Sequence, residues 1–240
     1  MPRSYSVTDI GRKRKMNQDY VFATDSPIGG LDNLYIVADG MGGHNAGEYA
    51  SAFSVEELKD LVVELGQAEI EIILHRALQE VNRRLRTVAA SDSRYYGMGT
   101  TIVIATVRGG ILYVANVGDS RLYLKKNRLR QITVDHSLVE EMVLAGTLDQ
   151  KKARTHPDKN VITRAIGAED TLEIDFFREK VSEGNIVLMC SDGLTNMVED
   201  SEIEEILGSS RSLEDAGGQL LAKANDNGGS DNISVLLVKI

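Results

Sequence analysis

The chain has 240 residues, 42% of them hydrophobic and 26% charged, which is enough apolar material for one well-packed domain. Its net charge of -9 argues against nucleic acid as a partner, because an acidic surface gains little from counterion release, and any phosphate site would need local positive charge. A single cysteine, Cys190, excludes an intrachain disulfide, and no signal-peptide-like segment or membrane-length apolar run is found, so a cytoplasmic protein without membrane insertion is expected.

Residues 4–9 and 20–24 read as short strands around a basic turn at 11–15. Residues 34–38 form an apolar strand that runs straight into Asp39-Gly40-Met41-Gly42-Gly43-His44. Ala50, Phe53, Leu58, Leu61, Val62 and Leu65 then recur at helical spacing. A second helix carries Ile70, Ile73, Ala77, Leu78, Val81, Leu85 and Val88 on one face. Residues 100–107 and 111–117 flank Arg108-Gly109-Gly110, the composition of a hairpin turn, and 121–124 continues the meander.

Residues 136–168 read as mostly helical and polar. Residues 186–190 form another buried strand, entering Ser191-Asp192-Gly193, and its apolar neighbours mark Cys190 as a buried thiol rather than a nucleophile. Stretches 198–207 and 213–224 look helical, and a last strand, 233–238, begins just after Asp231-Asn232. No linker divides the chain and no repeat appears. Hairpins with helices segregated in runs point to antiparallel sheets covered by helices, an α/β (α+β) sandwich rather than a doubly wound parallel sheet.

One pattern carries chemistry. Asp39, Asp119, Asp192 and Asp231 each stand at or near the end of an apolar strand, where a carboxylate projects into the rim of a sheet. Singly, an Asp-Gly pair reads as a turn. Four strands marked this way make an all-oxygen site suited to magnesium or manganese, with the Gly40 carbonyl as a further ligand. Carboxylates so clustered would repel and protonate without cations. Two ions can bind phosphoryl oxygens and acidify a water to the point of attack at neutral pH. Arg14, in the basic run 12–15, is suited to bidentate hydrogen bonding of the remaining phosphate oxygens. His44 has two readings: proton donor to a leaving group, or cap of the helix that starts near Ala46.

These residues fall in ordered motifs. They are Gly11-x-x-Arg14-x-x-Asn17-Gln18-Asp19, Ala38-Asp39-Gly40-Met41-Gly42-Gly43-His44, Gly97-Met98-Gly99-Thr100-Thr101, Val117-Gly118-Asp119-Ser120-Arg121 and Asp135-His136-Ser137. Asn160-Val161-Ile162-Thr163-Arg164-Ala165-Ile166-Gly167, Ser191-Asp192-Gly193-Leu194 and Gly229-x-Asp231-Asn232 follow. Together they resemble the PPM family of metal-dependent, type 2C serine/threonine protein phosphatases, in its compact bacterial form, over nearly the whole chain.

The resemblance implies two antiparallel sheets flanked by helices, forming a single catalytic domain over 1–240 with a flap subdomain at about 140–167. It implies that Asp39 bridges two metals, with the Gly40 carbonyl on one and Asp192 and Asp231 on the other. Asp19 would contact the cluster, directly or through water, in this expectation. Asp119 with Asp192 matches a weaker third-ion site, and Arg14 the phosphate-binding arginine. Two departures stand out: Gln18 where many relatives have Glu, and Met41 where eukaryotic members have the histidine assigned as general acid. That assignment does not transfer to His44 by position.

The implied partners are phosphorylated proteins, in particular a bacterial serine/threonine kinase and its substrates, with the enzyme a monomer. Two alternatives share the motifs: a phosphatase dedicated to one regulator such as an anti-sigma antagonist, and a catalytically silent phosphoprotein-binding module. A metal-dependent nuclease is disfavoured by the acidic charge and the lack of a basic groove.

Overall fold

The computed structural model describes residues 2–43 and 45–240. In chain order the strands and helices are β1 (Arg3–Asp9), β2 (Asp19–Thr24), β3 (Leu34–Met41), α1 (Ala46–Leu65) and α2 (Ile70–Ser91), then β4 (Gly99–Thr100), β5 (Ile102–Arg108) and β6 (Ile111–Val117). β7 (Arg121–Lys125), β8 (Leu129–Gln131), α3 (Leu138–Leu144) and α4 (Gln150–Ala153) follow. The chain closes with β9 (Asp175–Lys180), β10 (Ile186–Cys190), α5 (Asp192–Thr195), α6 (Asp200–Ser209), α7 (Leu213–Asp226) and β11 (Ile233–Lys239).

Period-two alternation decides how these elements stack. In β3, Leu34, Ile36 and Ala38 face one way and Tyr35 and Val37 the other, and all five are fully buried. A strand covered on both faces needs a layer on each side. One sheet runs β1-β11-β10-β7-β8 and the other β2-β3-β5-β6-β9, with β4 beside the end of β3. Neighbouring strands pair antiparallel throughout.

The inner faces meet through Tyr35, Val37, Val103, Val114, Leu122, Met189 and Leu236. Ile36, Ile102, Ile104 and Ala115 turn outward to Leu58, Leu74, Leu78 and Leu85 of α1 and α2. On the far side Leu188, Cys190, Val235 and Leu237 pack with Ile203 and Leu220 of α6 and α7. Each fully buried aliphatic side chain contributes about 1.5–3 kcal/mol, so these three apolar layers hold the four-layer stack together. The α/β sandwich expected from the sequence is the fold observed. No helix among the described residues is long and apolar enough to cross a membrane.

Several local expectations change. β3 continues through Asp39-Gly40-Met41, so Asp39 lies inside a strand, directly opposite Asp19 of β2. The stretch read as one strand from 100 to 107 breaks at Thr101, whose N–H donates to the Asp39 carbonyl (2.9 Å) while its Oγ1 accepts from the Asp39 N–H (3.2 Å). Residues 136–168 are not mostly helical: α3 and α4 are 7 and 4 residues long and the rest is turns, loops and isolated bridges. Pro157 and Gly146, the latter at φ +72°, interrupt any longer helix there.

Two strands had no reading in the sequence. β8 has three residues, and β9 (DFFREK) is a half-exposed edge strand without an apolar run. The expected hairpin is present, with Gly109 and Gly110 both at positive φ (58° and 74°), the requirement of its two-residue turn.

Candidate active site

The rim of the sandwich gathers residues that are far apart in sequence. Arg14, Asp39, Gly40, Asp119, Asp192 and Asp231 line one cleft. Asp39 comes from β3 and Asp119 from the turn between β6 and β7; Asp192 opens α5 directly after β10, and Asp231 precedes β11. Asp19 lies beneath this cleft, 7% exposed, across the β2–β3 ladder from Asp39. His44 lies outside the described residues, so neither of its two readings is addressed.

The basic turn reaches the cleft because the Arg12 N–H donates to the Gly229 carbonyl at 2.7 Å, docking residues 11–15 onto the loop that carries Asp231. Arg14 then donates from Nη2 to Asp231 Oδ2 at 2.7 Å, and this hydrogen bond raises the guanidinium's pKa further. Asp231 Oδ1 accepts from the Asn232 N–H at 2.8 Å. Asp192 Oδ2 accepts from Asn196 Nδ2 at 2.9 Å, and Asp19 Oδ2 from the Ser191 hydroxyl at 2.7 Å. The second oxygens, Asp192 Oδ1 and Asp19 Oδ1, are buried and have no hydrogen-bond partner among the described residues.

Burial is the largest influence on these acids. It pushes Asp192 up to about 6, helped by Asp231, and Asp119 up to about 8, helped by Asp192. Asp19 rises to about 7, again through burial, although Ser234 and Ser191 oppose the shift. Asp39 is pushed well above its ordinary value by burial and then by Asp19. A set of carboxylates so unwilling to ionise, with two buried oxygens unpartnered, fits divalent cations as the missing positive charge. Among the described residues no group of three or more acidic or imidazole side chains forms a ready-made cage.

The glycines that follow these aspartates serve close approach. A Cβ on Gly40 would stand 2.0 Å from the Gly47 carbonyl oxygen, and one on Gly193 would stand 1.9 Å from that of Asn232. Gly40 lies in β3 and Gly193 in α5, so the turn reading of Asp-Gly fails at both and contact between backbones replaces it.

Three residues that hold the site fall within the sequence motifs but carry no role that the sequence alone assigns. Asn232 is buried; its Oδ1 accepts from the Gln18 N–H (2.9 Å), and its Nδ2 donates to the Ile10 (3.0 Å) and Met16 (2.9 Å) carbonyls. Ser191 bridges Asp19 and the Ser234 N–H. Thr101 bonds the Asp39 backbone and the Ser120 hydroxyl (2.8 Å). For Ser191 and Asn232 the available signal is a polar residue next to an aspartate; Thr101 has no such neighbour. Gln18 accepts through its main-chain carbonyl from the Gly40 N–H (3.0 Å) and the Ser51 hydroxyl (2.6 Å). Cys190 is fully buried, and burial pushes its thiol pKa far up, so it is no nucleophile.

The family model for protein phosphatase 2C matches residues 11–237. The serine/threonine phosphatase stp of Listeria monocytogenes is 45% identical over 239 residues, covering 97% of this chain and 93% of its own length. Among solved structures, the serine/threonine phosphatase Stp1 of Staphylococcus aureus superposes with a TM-score of 0.92 at 36% identity, covering 100% of this chain and 95% of that one. The catalytic domain of the serine/threonine protein phosphatase PstP, solved with two manganese ions, gives 0.87 at 30% identity, covering 99% and 97%.

Proposed function

This chain belongs to the protein phosphatase 2C family and is a protein serine/threonine phosphatase, and we propose that it hydrolyses phosphoserine and phosphothreonine with divalent cations held in the Asp39–Asp192–Asp231 cleft. The observation that carries this reading is the convergence of four carboxylates and one arginine on a single cleft, with buried carboxylate oxygens nearby that have no partner among the described residues. The manganese pair in PstP, a relative of the same fold, supports two ions as the loaded form.

Asp39 would hold both ions, with the Gly40 carbonyl on one and Asp192 and Asp231 on the other. Asp119 with Asp192 would hold a weaker third, and Asp19 would act from beneath. Bound there, the cations supply Lewis-acid polarisation of the phosphoryl group and a water acidic enough to attack at neutral pH. Arg14 supplies the orientation: its guanidinium, now on Asp231, presents a planar fork that fits two phosphate oxygens. Asn196 and Ser191 fix one oxygen each of Asp192 and Asp19, leaving the other free to serve a cation.

The segment at about 140–167 acts as a flap beside this cleft, where Asn160 and Ile162 already form part of the wall. The substrates are phosphoproteins of a bacterial serine/threonine kinase. The reading is tested with phosphothreonine, phosphoserine and phosphotyrosine peptides on wild type and Asp192→Ala. Hydrolysis of the first two and its loss in the variant are expected. Turnover that survives Asp192→Ala overturns the metal mechanism, and a strong tyrosine preference overturns the substrate class.

A further inference from the structure

The Asp135-His136-Ser137 run takes no part in the chemistry above, yet each side chain in it is engaged. Asp135 meets the Arg121 guanidinium in a two-pronged ion pair (2.7–3.0 Å), and Ser137 caps α3 by accepting from the Glu140 N–H at 3.3 Å. His136 is 6% exposed and faces the turn that carries Asp119. The Gly118 N–H donates to His136 Nδ1 at 3.0 Å, and the His136 N–H donates to the Gly118 carbonyl, also at 3.0 Å.

These contacts fix the tautomer. Nδ1 accepts, so Nε2 carries the proton of the neutral ring; it faces Asp175 Oδ2 at 3.2 Å, with Arg164 Nη1 also 3.2 Å away. Asp175 is itself neutralised by Arg164, whose Nη1 donates to Oδ1 at 2.9 Å. The outer nitrogen is therefore anchored on β9 and the inner one on the turn.

The backbone of His136 reaches in a second direction. Its carbonyl accepts from the Thr163 N–H at 2.8 Å, next to the Leu138 N–H bond to the Val161 carbonyl (2.8 Å). Both ends of the segment from 138 to 162 are thus stapled at this histidine. On the other flank of Asp119, the Ser120 hydroxyl bonds that of Thr101, which holds the Asp39 backbone. Asp119 is pinned from both sides, and His136 is the pin that also belongs to the base of the flap.

We infer that His136 is a positioning residue whose imidazole, as the Nε2–H tautomer, locks the flap base to the Gly118–Asp119 turn and so aims the Asp119 carboxylate into the cleft. This rests on the phosphatase reading above. A buried histidine with a packing role only would show the same exposure, so the test must separate its two nitrogens.

His136→Asn keeps an acceptor where Nδ1 stands and so retains the bond to Gly118. His136→Gln keeps a donor toward Asp175 and loses that bond, and His136→Leu loses both. On a phosphothreonine peptide with manganese, kcat of the Asn variant should stay within about threefold of wild type, while Gln and Leu fall about 10- to 100-fold with the loss in kcat rather than KM. In the cation-free protein, 15N spectra of the imidazole should show Nε2 protonated and Nδ1 bare. If Leu fails to fold, the order of Asn and Gln decides. Equal losses in Asn and Gln, a lowered melting temperature with kcat intact, or a protonated Nδ1 would overturn the inference. A wild type inactive on every phosphopeptide would instead overturn the phosphatase reading and the consequence for turnover drawn from it.

Discussion

Asp19 shows how a carboxylate can belong to the site without facing it. Burial lifts it to about 7 in the cation-free protein, against an ordinary value of 3.8. In the unfolded chain it ionises from about pH 4, whereas in the fold it keeps its proton to about pH 7. The unfolded state therefore loses its proton first, and stability falls as pH rises across that window. In chelator, the thermal stability of Asp19→Asn relative to wild type should rise from pH 4 to 7 and then level off. A pH-independent difference would contradict this.

Asn232 makes the complementary case. Its amide donates to two carbonyls that an aspartate could only repel, so Asn232→Asp should lose roughly 3 kcal/mol or more in urea denaturation. A variant as stable as wild type would show those bonds to be dispensable. The carboxylates themselves were legible in the sequence because strand-end aspartates recur. The residues that hold them were not: Asn232, Ser191 and Thr101 act through backbone groups up to 222 positions away, and no local pattern encodes such pairing.

Among the elements, the strands and helices with strong periodicity emerged from the sequence, and the exceptions have physical causes. The end of β3 was hidden because Asp39-Gly40 reads locally as a turn, yet Gly40 stays extended beside β4 and close to α1. β9 was hidden because an edge strand with one wet face has no continuous apolar run. The segment from 136 to 168 carries polar, helix-compatible residues, but its capping residues and turns cut it into short pieces.

The contact between α5 and β11 matters most for the site. Gly193→Ala would drive a methyl group against the Asn232 carbonyl and displace Asp192 or Asp231. A shift near 1 Å should lower kcat/KM by roughly 100-fold, with circular dichroism still native. Near-normal turnover would mean the two backbones can part without moving the carboxylates.

Across the molecule, the sandwich keeps packing and chemistry apart. Leu78 is fully buried under the β2-β3-β5-β6-β9 sheet and lines no part of the cleft. Leu78→Ala should destabilise the fold by about 2–5 kcal/mol in urea, with kcat of the folded protein unchanged. A loss of kcat without a loss of stability would show that α2 tunes the site.

The rim is where the two sheets and the basic turn meet, and its acids are poised for a charge that the chain does not itself supply in full. The decisive measurement is hydrolysis of a phosphothreonine peptide by the wild-type protein, first in chelator and then after back-titration with manganese or magnesium. Turnover should vanish in chelator and return with the cation. Hydrolysis that continues at full rate in chelator would contradict a cation-driven phosphatase.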